Sequence, residues 1–308
     1  MKIGLVDLDT THPEKWIPIE RDLEHEVVGL WDGGDVHPSE YVTEFAEKHS
    51  IPRVYESLEA MARDVDCAII HGCDWDTHVE KARPFVEAEK SILVDKPMAG
   101  NLRDIRQLQT WARSGSRITG GSSLRYCYEV QDFLANADKN QCVAHTVLTG
   151  CTVDEFNYGI HAYTLLAGIL GAGVVSVQHL SKGVQRRVRV NWPDGRMGIV
   201  VIGEAAEWIP FYASISTDKD VTQFVAANDK IYRAFLEIAL PYLAGEVDEP
   251  PVPFDQLIEP ELLALAAKIS WQENDREVRL DELTDCTVSY NGHVFAEGYR
   301  RAKYPEGS

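Results

Sequence analysis

Two stretches of this chain crowd together residue types that do acid–base or metal chemistry. Directly after the apolar run Ile3-Gly-Leu-Val6 come Asp7, Asp9, Thr10, Thr11 and His12. A second group, His71, Asp74, Asp76 and His78, closes and follows the apolar run Cys67–His71. Imidazole nitrogens and carboxylate oxygens together suit a zinc- or manganese-like ion. Polar residues at strand ends are also ordinary loop chemistry; that reading is preferred, and no metal is assigned. Two further patterns could move protons. In Asp95-Lys96-Pro97 an ammonium is available to stabilise a developing alkoxide or relay its proton. Asn157 and His161 are spaced to share one face of a helix, and an imidazole titrates near neutrality.

The elements that must position these groups follow from periodicity. Up to about residue 120, strand and helix patterns alternate, the grammar of a parallel sheet with crossover helices. Strands are predicted at Lys2–Val6, Val27–Trp31, Arg53–Tyr55, Cys67–His71, Ile92–Val94 and Arg117–Thr119. Thr11-His-Pro-Glu14 and Thr77-His-Val-Glu80 read as capping boxes at helix starts, and Asn101 with Asp104 opens another helix. After Gly120-Gly121 strands follow one another: Val143–Cys151, Val174–Leu180, Val184–Asn191, Met197–Ile202 and Phe211–Ser216. Consecutive strands with polar turns such as Pro193-Asp-Gly195 indicate an antiparallel sheet. Helices are expected at about 158–170, 229–243 and 256–272. The fold expected is α/β: a Rossmann-type doubly wound parallel sheet over 1–122, then an α+β domain with an open, mainly antiparallel sheet over 123–308.

Composition narrows the partners. The 308 residues carry a formal charge of −19, which opposes binding to nucleic acid or to an anionic membrane. Six scattered cysteines, none in a C-x-x-C pair, suit a reducing compartment. The N-terminus reads as a strand rather than a signal peptide, and no apolar run approaches the ~20 residues that span a bilayer. A cytoplasmic protein is expected. An open sheet leaves a face or edge to cover, so a homo-oligomer is expected as well.

This layout, with Val94-Asp-Lys-Pro97 after the fifth predicted strand and Asn157-Tyr-Gly-Ile-His161 opening a helix of the second domain, resembles the glucose–fructose oxidoreductase / inositol dehydrogenase (Gfo/Idh/MocA) family. The resemblance implies an NAD(H)-linked oxidoreductase acting on a hydroxyl of a sugar, cyclitol or related polar small molecule. Asp95 stands where the family has Glu, and Asn157 where it has Asp. By the resemblance, Lys96 touches both nicotinamide and substrate, His161 takes the hydroxyl proton and Asn157 orients it. Asp32, ending the second strand, would hold the adenosine ribose and select NAD over NADP. Cys73, Thr77-His78, Pro97 and Arg125-Tyr126 match softer cofactor-side positions.

The phosphate loop departs from the family. Asp7, Asp9 and His12 stand where G-x-G-x-x-G would place glycines. A helix N-terminus favours an anion by roughly 0.3–1 kcal/mol, up to about 2. A carboxylate facing a phosphate charge at ~4 Å costs roughly 1 kcal/mol in water and about 4 at intermediate dielectric. Three outcomes are open: the carboxylates point away, a cation intervenes, or no dinucleotide binds in the usual way. Binding that is weak or cation-dependent is expected. The alternatives are a metal-assisted lyase, isomerase or hydrolase on the same scaffold, and a non-catalytic metabolite-binding regulator.

Overall fold

The structure is a computed structural model that describes residues 1–284 and 288–305; Cys286 lies outside the described residues. Contacts divide the chain into two compact units, Met1–Gly120 with Leu236–Phe254 and Asn291–Ser308, and Gly121–Phe235 with Asp255–Tyr290. Two segments beyond residue 122 thus belong to the first unit, so the units are not two continuous stretches.

In the first unit, strands β1 (Lys2–Val6), β2 (Glu26–Trp31), β3 (Cys67–Ile70), β4 (Ser91–Val94) and β5 (Ile118–Gly120) form a sheet in the order β2-β1-β3-β4-β5. All its pairings are parallel. Every side chain of β3 and β4 is buried, which is why both read as unbroken apolar runs rather than alternating ones. Helices α1 (His12–Asp22), α2 (Ser39–Lys48), α3 (Leu58–Asp64), α4 (His78–Glu87) and α5 (Leu102–Arg113) connect them. The chain leaves β1 for β2 on one side and then crosses to β3 on the other. The topological switch point, where such sheets bind ligands, therefore lies between β1 and β3.

Three local expectations need correcting. The strand expected at Arg53–Tyr55 is a single parallel bridge, Leu30 to Val54. Val54 is 47% exposed at the sheet edge, with too little apolar burial to extend the ladder, so the sheet has five strands rather than six. Thr11 and Thr77 precede their helices without a side-chain cap. The Thr77 hydroxyl instead donates to the Asp74 carbonyl at 2.8 Å, and Thr10 rather than Thr11 accepts from His12 N. Asn101 does cap α5, accepting from Asp104 N.

The second unit is built on helix α6 (Tyr128–Asn140), β6 (Ala144–Gly150), α7 (Gly159–Leu170), β7 (Ser176–Lys182), β8 (Arg186–Asn191), β9 (Met197–Ile202), β10 (Tyr212–Thr217) and β11 (Val221–Val225). Helix α8 (Ile231–Leu243), the short α9 (Phe254–Leu257), α10 (Glu259–Gln272) and strand β12 (Val278–Arg279) follow. The seven strands run in the order β11-β10-β6-β9-β8-β7-β12. Only β6 and β9 pair in parallel; the other pairs are antiparallel. Helix α7 is buried nearly all round. A Cβ on Gly198 of β9 would come within 2.4 Å of Leu166, so a glycine there lets the helix lie directly on the sheet. The last described helix, α11 (Gly292–Lys303), belongs to the first unit. Among the described residues no helix is long and apolar enough to cross a membrane, and the five cysteines described are free thiols.

One buried group predicts a pH dependence of stability. Glu20 of α1 is fully buried, and neither of its carboxylate oxygens has a partner. Burial pushes its carboxyl from 4.5 up to about 8. A folded-state value above the unfolded one means that the folded chain holds this proton more tightly. Its contribution is intact below the unfolded value and is lost as pH rises toward 8. Urea midpoints should fall between about pH 5 and pH 8, and Glu20→Met should flatten that slope. An unchanged slope in the variant would show that other groups carry it.

Candidate functional site

The rim of the first sheet is assembled from the loops after β1, β2 and β3. Asp7 follows β1 with φ 65°, the left-handed conformation that a glycine normally supplies, and Asp is among the few residues that tolerate it. The turn of the phosphate loop is therefore kept although its glycine is gone. The Asp7 side chain is buried. It accepts from Gly33 N at 3.0 Å and from the Lys81 ammonium of α4 at 2.7 Å. Lys81 also reaches Asp35 at 2.9 Å. Burial opposes the charge on Lys81, but Asp7 and Asp35 outweigh it and hold its titration above the ordinary lysine range. A cation does offset the Asp7 carboxylate, and it is a side chain of this protein.

Asp9 occupies the second glycine position and is completely buried. One oxygen accepts from Cys73 N at 2.8 Å; the other has no partner. Burial first, and the charge of Asp7 second, raise its carboxyl to about 7. Asp32 is half-buried, and its two oxygens accept from Leu8 N at 2.9 Å and Gly34 N at 2.8 Å. Burial raises it as well, with Asp7 next in effect.

His12, in the third glycine position, explains a second departure. Its Nδ1 lies 2.6 Å from Asp95 Oδ2, and Nδ1 of His71 lies 3.1 Å from the same oxygen. Oδ1 of Asp95 accepts from Lys96 N at 2.7 Å. Burial alone would raise Asp95, but His12 and His71 outweigh it and hold it well below the usual carboxylate range. The shorter Asp95 and the imidazole of His12 thus form one unit that fixes the backbone entering Lys96. The Lys96–Pro97 peptide is cis. A double-mutant cycle on His12→Ala and Asp95→Asn should show a coupling of about 0.5–3 kcal/mol; additive losses would show that the contact carries nothing.

The remaining rim residues do not converge on one centre. His78 is buried between the Gly72 and Met98 carbonyls, at 2.8 and 3.2 Å. Asp74 pairs with His293, and Asp76 accepts from Gly292 N at 2.7 Å. Two trios, His12–His71–Asp95 and Asp74–Asp76–His293, place donor atoms within 4.8 Å of one another. In the first, both imidazoles share one Asp95 oxygen; in the second, Asp74 pairs with His293 while the Asp76 carboxylate accepts from Gly292 N and Asn101 Nδ2.

In the second unit His161 sits in the first turn of α7 and is buried. Its Nδ1 lies 2.6 Å from Ser122 Oγ, which also accepts from Leu124 N. Phe211 packs on the ring at a centroid distance of 4.7 Å. Asn157 lies in the turn before α7. Arg125, placed on the cofactor side by sequence, is buried and donates to the Gln256 carbonyl at 3.3 Å. Sequence reasoning missed Lys81, Asp35 and Ser122. An ordinary lysine beside a helix start and a serine after Gly-Gly carry no signal until the fold brings their partners to them.

Helix α11 lies on the same rim. Lys303 donates to the Asp9 carbonyl at 2.8 Å and reaches His37 Nε2 at 3.1 Å, while His37 Nδ1 meets Tyr304 Oη at 2.7 Å. Burial, then the Lys303 charge, lowers His37 to about 4; its ring is neutral and accepts from Lys303. Arg300 reaches the Gly34 carbonyl at 3.3 Å. Phe295 packs on Trp75 at 5.1 Å, and Ala296 packs with Val36 and Cys73. A dinucleotide needs this crevice: pyrophosphate at the loop after β1, adenosine ribose at the acidic residue after β2. The turn at Asp7 fits that use. Both oxygens of Asp32 are taken by Leu8 N and Gly34 N, and α11 lies on the loops after β1, β2 and β3.

Comparison with known proteins agrees with the fold. The family described as "Oxidoreductase family, NAD-binding Rossmann fold" (GFO_IDH_MocA) matches residues 3–120. A trans-1,2-dihydrobenzene-1,2-diol dehydrogenase of Danio rerio is 33% identical over 111 residues, 36% of this chain and 31% of that protein. Its counterpart from Oryctolagus cuniculus is 27% identical over 168 residues, 51% of this chain and 48% of that protein. The matches thus span about a third to a half of the length of these relatives. The structure of scyllo-inositol dehydrogenase from Lactobacillus casei with NAD(H) and scyllo-inositol superposes with TM-score 0.75 at 14% identity, covering 91% of this chain and 99% of that one. An oxidoreductase from Agrobacterium radiobacter with NAD+, L-tartaric acid and magnesium gives TM-score 0.78 at 14% identity, covering 92% and 99%. Residues 3–120 thus match a family of oxidoreductases whose Rossmann fold is an NAD-binding one.

Proposed function

We propose that the protein is an NAD(H)-dependent oxidoreductase that acts on a hydroxyl of a sugar, cyclitol or related polyol. The observation that carries the reading is the family match over residues 3–120. His161, held through Nδ1 by Ser122, and Lys96, held through its backbone by Asp95, supply the groups that such chemistry needs. His161 takes the hydroxyl proton at its other ring nitrogen. Lys96 stabilises the alkoxide as the proton leaves. Ser122 fixes the ring, and Asn157, in the turn before α7, orients it. The nicotinamide, when bound, accepts the hydride.

The similar proteins support the substrate class. Those named above are a diol dehydrogenase, an inositol dehydrogenase and an oxidoreductase holding tartaric acid. The test is direct: the purified chain, NAD+ at millimolar level, and a panel of inositols, aldoses and diols, followed by NADH absorbance. Turnover of at least one polyol is expected. No NADH formed from any of them, and none consumed with the matching ketones, would overturn the reading.

Assembly belongs to the same proposal. The outward side chains Leu148 and Ile199, paired across β6 and β9, and Val201 beside them, are half-buried. Self-association through that sheet face would cover them. Light scattering should give a multiple of the 34.5 kDa chain mass, and Ile199→Glu should lower it.

A further inference from the structure

We propose that helix α11 and the dinucleotide compete for one surface of the first unit, so that α11 is a strap that must lift before NAD(H) can seat. This rests on the NAD(H) reading above. The geometry that points to it is confined to one unit. Crevices of this fold take the dinucleotide between the loops after the first, second and third strands of the switch point. Helix α11 touches all three: Lys303 at the Asp9 carbonyl, Arg300 at the Gly34 carbonyl, and Gly292 N at the Asp76 carboxylate. Phe295 lies against Trp75 of the third loop. A nucleotide stacked in that crevice would claim the same carbonyl-lined backbone and the same apolar floor of Val36 and Cys73.

The contact is built to be reversible. Within α11 only Gly292 and Ala296 are buried; Phe295 and Tyr299 are half-buried against the small Val36–Cys73 cluster, and the rest of its hold is hydrogen bonds. Segments with few buried apolar contacts open at low free energy. The fit is nevertheless close. A Cβ on Gly292 would come within 2.4 Å of Asp74 Oδ1 and 2.9 Å of the backbone nitrogens of Trp75 and Asp76. Backbone cannot yield there as a flexible side-chain tip can, so a side chain at residue 292 must push the start of the helix off the rim.

Competition has a quantitative signature. If the docked state predominates, apparent affinity is reduced by the fraction of molecules with the strap lifted. Linkage also requires the reciprocal effect: bound NADH must loosen α11. The experiment titrates NADH into the full chain and into the full-chain variants Gly292→Leu and Lys303→Met, with amide exchange over residues 292–303 recorded with and without NADH. Both variants should bind NADH at least about tenfold more tightly, and exchange in wild-type α11 should rise on NADH addition. Equal affinity in all three chains, with α11 exchange unchanged or slowed by NADH, overturns the strap while leaving the cofactor reading intact. If none of the three chains binds NADH, the cofactor reading fails and the strap fails with it.

Discussion

Lys81→Met is expected to cost the first unit about 3–5 kcal/mol, the usual loss when one partner of a buried ion pair is removed. Asp7 lies almost wholly inside, and its nearest cation is Lys81 at 2.7 Å. Asp9 is buried close by and already feels the Asp7 charge. Without the ammonium, Asp7 keeps Gly33 N as a donor but loses its counter-charge. Asp35, 38% exposed, can turn to water and adds little. The double variant Lys81→Met/Asp7→Asn separates charge from packing. Asparagine tolerates the positive φ at residue 7 and removes the stranded charge, so it should recover part of the loss. Urea unfolding of the three chains measures it. A loss below about 1 kcal/mol for Lys81→Met would show that the pair behaves as an exposed one.

The second large effect is on turnover. His161→Ala and Lys96→Met should each lower kcat by about 10²-fold or more on whichever polyol supports NADH formation, the usual loss when general acid–base help is removed. Both variants should remain folded by circular dichroism. Ser122→Ala leaves His161 in place and removes the hydroxyl at its Nδ1, so a smaller loss with a shifted pH–rate profile is expected. That shift marks Ser122 as a positioning residue. Unchanged kcat in His161→Ala or Lys96→Met would remove that residue from the mechanism.

What could be read from the sequence was what burial writes into composition. β3 and β4 are solid apolar runs because both faces of the sheet are covered, and their order as parallel strands followed from the helices between them. Helix α11 was not read as an element because its sequence, GHVFAEGYRRAK, carries almost no buried stripe; it is held by loops far away in the chain. The same distance hid the charge pairing. Lys81 meets Asp7 across 74 positions, and no local pattern marks such a pair. Lys96 and His161 could be named from their motifs, and so could the loss of the glycines. That Asp7 keeps the turn, and that His12 and Asp95 compensate each other, needed coordinates, because backbone φ and a contact spanning 83 positions are products of the fold.

The central claim is hydride transfer between a carbinol carbon and nicotinamide. The most direct measurement uses a carbon-deuterated form of the polyol that supports turnover, with unlabelled NAD+, and mass spectrometry of the NADH formed. The account predicts one deuterium carried from the carbinol carbon into the nicotinamide ring. Consumption of the polyol with its deuterium released to water, and no labelled NADH, would contradict it and indicate proton abstraction by a lyase or isomerase on this scaffold.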